Sequence, residues 1–398
     1  MMSSSLPFIR LKPKANARAI RHGFPWVYDN ELVTDRRTKS LAAGSLAVLQ
    51  DAERVSLGVV AVNPNSRIFC RMLDHNSETL INQAWFATKI KRAAEMRDQL
   101  YGEPFYRLVH AEADGLPGVV IDRFGDTAVV QPNAAWADVL LEPLVAALQE
   151  VTGVTCVLKS GTSRVRSLEG LSEDSAVLCG VAPESPVNVS MNGATYLADV
   201  TDGQKTGLFY DQRLNHSFAS KLCRGANVLD VFSHVGGFSL AALAAGAKSA
   251  LAVDGSARAL KLAVDGANTS GFEDRFSTRR GDAFDVLIEL ASEEAQFDVV
   301  ICDPPAFAPS KSALEKGLRA YERVARLAAP LVNEGGYLAL CSCSHAAELA
   351  RFRAASIRGI GRAGRKSQLI HTGFAGPDHP LMPQLSESGY LKSLFFRL

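Results

Sequence analysis

Two reactive side chains follow apolar, strand-like segments in the C-terminal half of the chain. Asp303 opens an Asp-Pro-Pro-Ala tetrapeptide after the apolar run 297–302, and Cys343 lies in a Ser-Cys-Ser tripeptide after a second run, 335–341. Ligands of parallel sheets bind at the carboxyl ends of the strands, so both groups are predicted to share one sheet edge. A thiolate there can add to the electron-poor C6 of a pyrimidine, which lets C5 take a methyl group from a sulfonium donor. The pair therefore predicts methyl transfer to a pyrimidine carbon, provided that Cys343 faces the pocket.

The choice of nucleophile among nearby positions rests on strand geometry. Cys341 has the same pleat parity as Cys343 but lies deeper in the strand, and Cys302 points opposite to Asp303, so both are predicted to be core residues. Other cytosine methyltransferases carry the nucleophile after the prolines, where this chain has Ala306. A cysteine at a strand end is also commonly a small buried hydrophobe, which is the competing interpretation of Cys343.

The segment after Asp303 offers a binding surface for the target base. Pro304 and Pro305 are rigid and lack a backbone N–H, so neighbouring carbonyls stay unpaired and can contact a planar nitrogen heterocycle. Asp303 is predicted to hydrogen-bond the N3/N4 edge of a flipped cytosine and so to stabilise its adduct with Cys343. The base that removes the C5 proton cannot be named from the sequence.

A second motif predicts the binding site of the methyl donor. Residues 233–238, Ser-His-Val-Gly-Gly-Phe, follow a strand and open an Ala-rich helix, so the backbone can approach a ligand closely. Asp254 ends the next strand and can accept both hydroxyls of a ribose. A dinucleotide-binding fold shares these features, but the turn lacks G-x-G-x-x-G. Asp230 at the strand end would repel a pyrophosphate and attract a sulfonium, which favours S-adenosylmethionine over NAD.

Two further segments have alternative interpretations. Asp282 follows a third strand and either accepts the exocyclic amine of adenine or caps the helix that follows. Residues 199–213 form a polar stretch between apolar ones, as functional loops commonly do.

Three segments that differ in their predicted secondary structure must position these groups. The chain has 398 residues, which indicates two or three domains. Residues 1–75 carry short β-like runs and predict a small β-barrel. Residues 76–186 begin with a helical pattern and continue as a two-strand, helix, two-strand module. Residues 187–398 alternate strands and helices, which predicts a parallel sheet covered on both faces.

Composition limits the classes of protein that remain. Hydrophobic residues make up 47% and charged residues 21% of the chain, as in a folded soluble protein. The seven cysteines are an odd number scattered through apolar segments, which predicts reduced thiols, no disulfide and a cytoplasmic location. No cysteine or histidine spacing suggests a metal site, and neither an export signal nor a membrane span is expected.

The formal net charge of +1 conceals local bias. Residues 1–40 hold eight Lys or Arg against three Asp or Glu, and residues 351–366 hold six against none. Each stretch either contacts RNA phosphates or forms a solvated basic face, and the sequence does not distinguish the two.

Several motifs, taken in order along the chain, resemble one known family. They occupy residues 22–28, 114–126, 166–171, 203–207, 211–213, 232–238, 303–307, 342–344 and 378–380. The chain resembles the bacterial S-adenosylmethionine-dependent 23S rRNA (cytosine-5)-methyltransferases, the ribosomal large subunit methyltransferase I family, over nearly its whole length. It departs from the family at Asp230, where some relatives carry a neutral residue, and at Ala306, where a lysine is frequent.

The resemblance implies a fold and a set of site residues. The expected fold is a PUA domain over residues 1–75, an α+β (EEHEE) middle domain over 76–186 and a Rossmann-like methyltransferase domain over 187–398. Cys343 matches the family's nucleophile, Asp303 is expected to assist it, and Pro304, Pro305 and His379 are expected to contact the substrate. The residues predicted to bind S-adenosylmethionine are Lys205, Gln212, Asp230, Phe232, Ser233, Gly236, Gly237, Asp254, Gly255, Ser256, Asp282, Ala283, Asp303 and Pro304.

The predicted reaction is formation of 5-methylcytosine in 23S rRNA. Formation of 5-methyluridine or 7-methylguanine on the same fold is one alternative, although the guanine enzymes lack the Ser-Cys-Ser thiol. A non-catalytic RNA-binding protein is another. The modified nucleotide, the substrate form and the oligomeric state, with a homodimer as one option, remain open.

Overall fold

A computed structural model describes residues 6–201, 207–385 and 388–398 and divides the chain into two compact units. The N-terminal unit consists of Met1–Glu184, Val200–Thr206 and Pro377–Ser388. The C-terminal unit consists of Ser185–Asp199, Gly207–Gly376 and Gly389–Leu398. The predicted division at residues 75/76, within the N-terminal unit, stays a prediction.

The first sheet of the N-terminal unit has the strand order β1-β3-β4-β5-β2. Its strands are β1 (Phe8–Arg10), β2 (Trp26–Tyr28), β3 (Leu46–Gln50), β4 (Ser56–Val62) and β5 (Ile68–Asp74), with helices α1 (Ala17–Arg21) and α2 (Arg36–Lys39) between them. Alternating runs such as 46–50 and 68–74 bury their apolar side chains in one core. The sequence did not predict β1 and β2, because a three-residue strand shows too little alternation to be recognised.

The second sheet of this unit has the order β10-β9-β8-β7-β6. Its elements are α3 (Gln83–Leu100), β6 (Phe105–His110), β7 (Val119–Phe124), β8 (Thr127–Pro132), α4 (Ala135–Val139), α5 (Leu141–Thr152), β9 (Cys156–Lys159), α6 (Arg164–Leu168) and β10 (Ala176–Cys179). Three strands, rather than two, precede the helical segment. Helix α3 begins where the Asn82 side chain accepts from the Trp85 N–H, and its Phe86 stacks on Trp136.

A buried polar cluster joins the two sheets of the N-terminal unit. The Arg71 guanidinium donates to Glu112 at 3.2 Å and to Glu169 at 2.9 Å. Glu169 also accepts from Asn63 and Ser66. Burying an ion pair costs solvation free energy, which the additional hydrogen bonds offset. These hydrogen bonds link the two sheets within one unit, although the Arg71 Nε has no partner among the described residues.

The C-terminal unit is built on a seven-stranded sheet with the order β15-β14-β13-β16-β17-β19-β18. After the hairpin β11 (Val187–Met191) and β12 (Ala194–Ala198), its elements are α7 (Arg213–Ser220), β13 (Asn227–Val231), α8 (Gly237–Ala244), β14 (Ser249–Asp254), α9 (Ala257–Thr269), β15 (Phe276–Arg280), α10 (Ala283–Ser292), β16 (Phe297–Cys302), α11 (Leu314–Ala328), β17 (Val332–Ser342), α12 (Leu349–Arg362), β18 (Gln368–Gly373) and β19 (Lys392–Arg397). Strands β13 to β17 run parallel, whereas β19 runs antiparallel to both of its neighbours.

Apolar layers cover both faces of this sheet. One layer includes Leu229, Val300 and Leu338, and the opposite layer includes Val228 and Ile301. Because neighbouring residues of the central strands point to opposite buried faces, these strands read as continuous apolar runs, which is typical of a doubly wound parallel sheet. The predicted α/β architecture is confirmed. Of the helices in the described ranges, none combines the length and hydropathy that a membrane crossing requires.

Candidate active site at the carboxyl rim of the sheet

Asp254 at the end of β14 and the first residues after β13, β15, β16 and β17 form one edge of the C-terminal sheet, here called the rim. Strands β16 and β17 pair in parallel, with Cys302 opposite Leu340. Asp303 and Cys343 each directly follow their strand, and the Cys343 Sγ lies 3.9 Å from the Pro304 carbonyl oxygen. Cys343 is partly exposed, so its thiol is not enclosed in the core. The structure thus brings together the two residues on which the predicted chemistry depends.

The neighbouring cysteines differ from Cys343 in their surroundings. Cys302 is 0% and Cys341 1% exposed, as their predicted core positions require. Burial raises the pKa of both thiols above the ordinary value, and the Asp303 carboxylate adds to the effect. Neither thiol forms the anion easily, which leaves Cys343 as the reactive candidate of this group.

A chain of hydrogen bonds connects the loops that carry Asp303 and Cys343. The Ser344 hydroxyl accepts from the Ala308 N–H at 2.8 Å and shares a 2.6 Å hydrogen bond with the Tyr321 hydroxyl. The Tyr321 oxygen also accepts from the Phe307 N–H at 3.4 Å. Ser344 is completely buried. These bonds fix the residue after the thiol against the loop that follows Asp303, and so hold the two groups in register.

A buried lysine supports the same loop. The Lys392 ammonium donates to the carbonyl oxygens of Ser344 and Ala347, both at 2.8 Å. Lys392 begins β19 and pairs with Ser342 of β17. The loop that begins at Cys343 is therefore held from two sides, by Tyr321 and by Lys392.

The glycine-rich turn after β13 has an unusual backbone. Phe232 and His234 adopt positive φ angles of 65° and 50°, and Gly236 has a φ of 80°. Residues other than glycine rarely adopt this region, and such strain is concentrated at functional sites. A Cβ at position 237 would lie 2.7 Å from the His216 ring, so glycine is also required there for space. Gly236 therefore serves the backbone conformation of the turn, and Gly237 serves its packing against His216.

Asp230 lies one residue before the end of β13 and is fully buried. Its Oδ2 accepts from the Ser239 N–H at 2.9 Å and from the Ser239 hydroxyl at 2.8 Å, which anchors the first turn of α8. Burial raises the pKa of Asp230 to about 6, although the Ser239 hydrogen bonds act in the opposite direction. Its Oδ1 is buried without a hydrogen-bond partner among the described residues.

The other carboxylates of the rim organise the backbone around it. Asp254 accepts from the His234 N–H at 2.9 Å and from the Ser256 N–H at 2.8 Å, so it links the turn after β13 to the start of α9. Gly255, between them, has open space at its Cβ position except for one carbonyl oxygen at 3.8 Å. Asp282 uses one oxygen to accept from the N–H groups of residues 284 and 285, as a helix cap. Because both of these hydrogen bonds end on Oδ1, the predicted contact of Asp282 with adenine through its other oxygen stays a prediction.

Gln212, at the start of α7, has a fixed orientation. Its Oε1 accepts from the Asn215 side chain at 2.6 Å and from the Ser393 hydroxyl at 3.4 Å. Because the oxygen receives both donors, the amide nitrogen points away from them. That nitrogen is buried and has no partner in the described part of the chain. Buried polar atoms are nearly always hydrogen-bonded, so such an atom calls for a ligand or a water.

Other predicted site residues have different positions. Lys205 lies outside the described residues. His379 belongs to the N-terminal unit, where its Nδ1 lies 3.0 Å from Asp378 and its ring packs against His110. Asp378 itself accepts from Tyr101 and from the Arg107 N–H. His379 is thus a buried residue of that unit, and its predicted contact with the substrate stays a prediction.

The basic stretch 351–366 is largely paired within its own unit. Arg351 forms an ion pair with Glu315, and Arg358 and Arg362 both pair with Glu322. These contacts join α12 to α11 and reduce the positive charge available to a phosphate. The structure therefore favours the interpretation of this stretch as a solvated face.

Sequence reasoning did not identify Tyr321 and Lys392. Tyr321 lies in a helix whose amphipathic pattern predicts nothing about its hydroxyl. Lys392 does carry a signal, because it is the single charge in the otherwise apolar or small run 389–396. A lone lysine within a buried strand indicates a specific partner.

Comparison with known sequences gives two matches to family profiles. A profile described as an S-adenosylmethionine-dependent methyltransferase matches residues 142–397, and one described as a PUA-like domain matches residues 9–75. Ribosomal RNA large subunit methyltransferase I of Shewanella denitrificans is 35% identical, over 98% of this chain and 99% of the relative. The protein of the same name from Aeromonas hydrophila is 33% identical, with 100% of both chains covered.

Solved structures show the same fold over the full length. A protein from Streptococcus mutans, assigned as a SAM-dependent methyltransferase, aligns with a TM-score of 0.81 at 19% identity and covers 99% of this chain and 100% of its own. A methyltransferase structure complexed with SAH, SMU.776, aligns with a TM-score of 0.83 at 20% identity and the same coverage.

Proposed function

The chain belongs to the ribosomal RNA large subunit methyltransferase I family of S-adenosylmethionine-dependent enzymes, and we propose that it forms 5-methylcytosine in 23S rRNA through a covalent adduct of Cys343. The observation that carries the proposal is the partly exposed thiol at the rim, next to the Asp303 loop. Methylation of an exocyclic nitrogen or of guanine N7 requires no such nucleophile.

The residues around the turn after β13 fit S-adenosylmethionine. Gln212 Nε2, Asp230 Oδ1 and Ser233 Oγ are buried polar atoms without partners among the described residues. They offer an N–H donor, an acceptor and a hydroxyl, which suit the carboxylate and ammonium of the donor's methionine part. Asp254, at the end of the next strand, suits the ribose hydroxyls, and Asp282 and Ala283 lie where the third strand ends. When bound, S-adenosylmethionine supplies a sulfonium methyl group and leaves as a neutral thioether after its transfer to C5.

Cys343 begins the reaction as a thiolate. Its electron pair forms the S–C6 bond, and the pair of the C5=C6 double bond becomes available at C5, which takes the methyl group. Removal of the C5 proton by a base then returns that electron pair to the C5=C6 bond, and the C6–S bond breaks to regenerate the thiolate. The carbonyl oxygen of Pro304, 3.9 Å from the sulfur, limits where the thiol can move.

Asp303 acts on the opposite edge of the base. As the thiolate adds, N3 takes a proton from water, and the Asp303 carboxylate can then accept from N3–H and from the N4 amino group, which stabilises the N3-protonated ring of the adduct. Its backbone N–H donates to the Val231 carbonyl at 3.1 Å, so the loop is anchored to the central strand. A carboxylate suits the donor edge of cytosine better than the carbonyl edge of uracil.

The target cytosine must leave its stack to reach the rim. Unstacking costs a few kcal/mol and costs least in loops or single strands. Pro304 is buried and Pro305 exposed, so the second proline is the one available to contact the base. A loop or single-stranded segment of 23S rRNA is the substrate that this energy favours.

The test compares methylated nucleosides in rRNA from four strains: wild type, a deletion, and the deletion complemented with Cys343→Ala or with Cys341→Ala. The proposal expects loss of one 5-methylcytosine in the deletion and in the Cys343→Ala strain, and its restoration by Cys341→Ala, the matched control. Unchanged 5-methylcytosine in the deletion would reject the product. Loss of 5-methyluridine or 7-methylguanine instead would assign a different base.

A further inference from the structure

Lys392 is a buried cation beneath the loop that carries the thiol. It is only 5% exposed and lies between Leu391 and Ser393, which are also buried. Two of its three N–H donors go to the carbonyls of Ser344 and Ala347, the first residue after Cys343 and the fourth. An ammonium in this position is held by main-chain dipoles rather than by solvent.

The charge of Lys392 is not matched by a carboxylate. Among the described residues, no acidic side chain forms an ion pair with it, and its bonds are to neutral carbonyls. Burying an unpaired charge is costly. Burial lowers the pKa of Lys392, whereas the charge of a Cys343 thiolate raises it. A Cys343 thiolate can therefore supply the negative charge that would balance the Lys392 ammonium.

We propose that Lys392 is a positioning residue that fixes the loop after Cys343 and stabilises the thiolate form of that cysteine. This inference rests on the proposed function and deepens it by naming the cation that favours the nucleophile. Cysteines next to lysine ammonium groups form thiolates more readily, because the charged form is stabilised.

Other titratable groups lie on the elements around the thiol. The Tyr321 hydroxyl on α11 interacts with the charge of Cys343, and Asp303 follows β16, the strand that pairs with β17. A negative Asp303 disfavours a second negative charge nearby, so a cation on the β19 side offsets it. Lys205 lies outside the described residues.

The role of Lys392 is electrostatic and not that of a base. The ammonium is already protonated, so the proton of the Cys343 thiol leaves to water. At the end of the reaction the same charge stabilises the departing thiolate, when the C6–S bond breaks. Removing the charge is expected to slow both steps without changing the product.

The experiment measures alkylation of Cys343 by iodoacetamide as a function of pH, in the full-length protein without RNA or methyl donor. Mass spectrometry with fragmentation quantifies alkylation at residue 343, which shares its peptide with Cys341. In Lys392→Met and Lys392→Gln, the midpoint of the pH profile is expected to rise by about one unit. Lys392→Arg, which keeps the charge, is expected to keep the wild-type midpoint. Lys366→Met removes a charge from an exposed position and serves as the control.

The outcomes separate an electrostatic from a structural role. Lys392→Gln retains two N–H donors for the loop, and thermal denaturation confirms folding. If both neutral variants alkylate faster or slower at every pH with an unchanged midpoint, Lys392 only supports the loop and the inference is overturned. Because no RNA is present, a raised midpoint supports the inference even if the nucleoside analysis assigns another product.

Discussion

The interior and the rim of the C-terminal sheet contain the same residue types in different surroundings. In the interior, Cys302, Cys341 and Asp230 are fully buried, and burial raises the pKa of each. At the rim, Cys343 and Asp303 directly follow their strands and are partly exposed. A step of one or two residues along a strand thus separates a packing thiol from a candidate nucleophile.

The difference shows that position along a strand, more than residue type, decides reactivity here. A thiolate or carboxylate loses its hydration in the interior, so the neutral form dominates. At the rim, solvent and neighbours such as Lys392 can stabilise the charged form. Substitution or titration of residues in either region therefore tests this dependence on position.

The largest effect is expected for covalent trapping. A 23S rRNA transcript that contains 5-fluorocytidine should form a stable complex with the wild-type protein and methyl donor. Release of the thiol requires removal of a proton from C5, and a C5 that carries fluorine has no such proton. Cys343→Ser should form none, whereas Cys341→Ser should form as much as the wild type. Denaturing electrophoresis measures the complex. A complex that persists in Cys343→Ser would place the nucleophile elsewhere.

The next effect concerns the carboxylates of the two regions. Asp303→Asn should lower kcat for rRNA methylation by about 10² to 10³, because it removes a charge that stabilises the adduct. Asp230→Asn, measured at saturating methyl donor, should lower kcat by less than about tenfold, since Asp230 only anchors α8 and the donor. Equal losses of kcat in both variants would remove the distinction between rim and interior for carboxylates.

Thiol reactivity provides a measurement without turnover. In the native protein at pH 8, iodoacetamide should modify Cys343 at least about 100-fold faster than Cys302 or Cys341, because thiolate fraction and access both favour the rim. In denaturant the three rates should converge. Quantitative mass spectrometry makes the comparison, with fragmentation that resolves residue 341 from residue 343 on the peptide that contains both. Rapid native labelling of Cys341 would contradict its assignment to the interior.

The smallest effect is on stability and depends on pH. The pKa of Asp230 is about 6 in the folded protein against an ordinary value of 3.8, so the folded state binds the proton more tightly than the unfolded state. Relative to Asp230→Asn, wild-type stability should therefore fall as pH rises from about 4 to about 6, by on the order of 2–3 kcal/mol, and stay level above. Urea denaturation at several pH values measures the free energy of unfolding of both proteins. A parallel pH dependence in both proteins would show that burial of this carboxylate carries no such penalty.

Much of the site could be predicted from the sequence because it lies in short motifs. The Asp-Pro-Pro-Ala and Ser-Cys-Ser segments follow apolar runs, and parallel strands bring their carboxyl ends to one edge. Depth along the strand also separated Cys341 from Cys343, although the two share the same pleat parity. The cap interaction of Asp282 was one of two alternatives, and the structure contains it without excluding the other.

Other features had no signal of this kind. His379 belongs to a motif that the sequence assigned to the substrate, yet it is buried in the N-terminal unit against His110. The arginines of α12 appeared as a basic stretch, but their acidic partners lie on α11. Local sequence shows the type of each side chain and the periodicity of the segment that contains it. It does not show which distant side chain neutralises the charge of an arginine.

The sequence alone was enough to predict the alternation of strands and helices in the C-terminal half, the candidate reacting groups and the strand ends that carry them, since hydrophobic periodicity and strand ends are local properties. The neighbours that surround the loop after Cys343 followed from tertiary packing alone. The Ser344 contacts with Tyr321 and Lys392 join residues 23 and 48 positions apart. Burial and charge pairing depend on such distant neighbours, because they follow from packing in three dimensions and not from spacing along the chain.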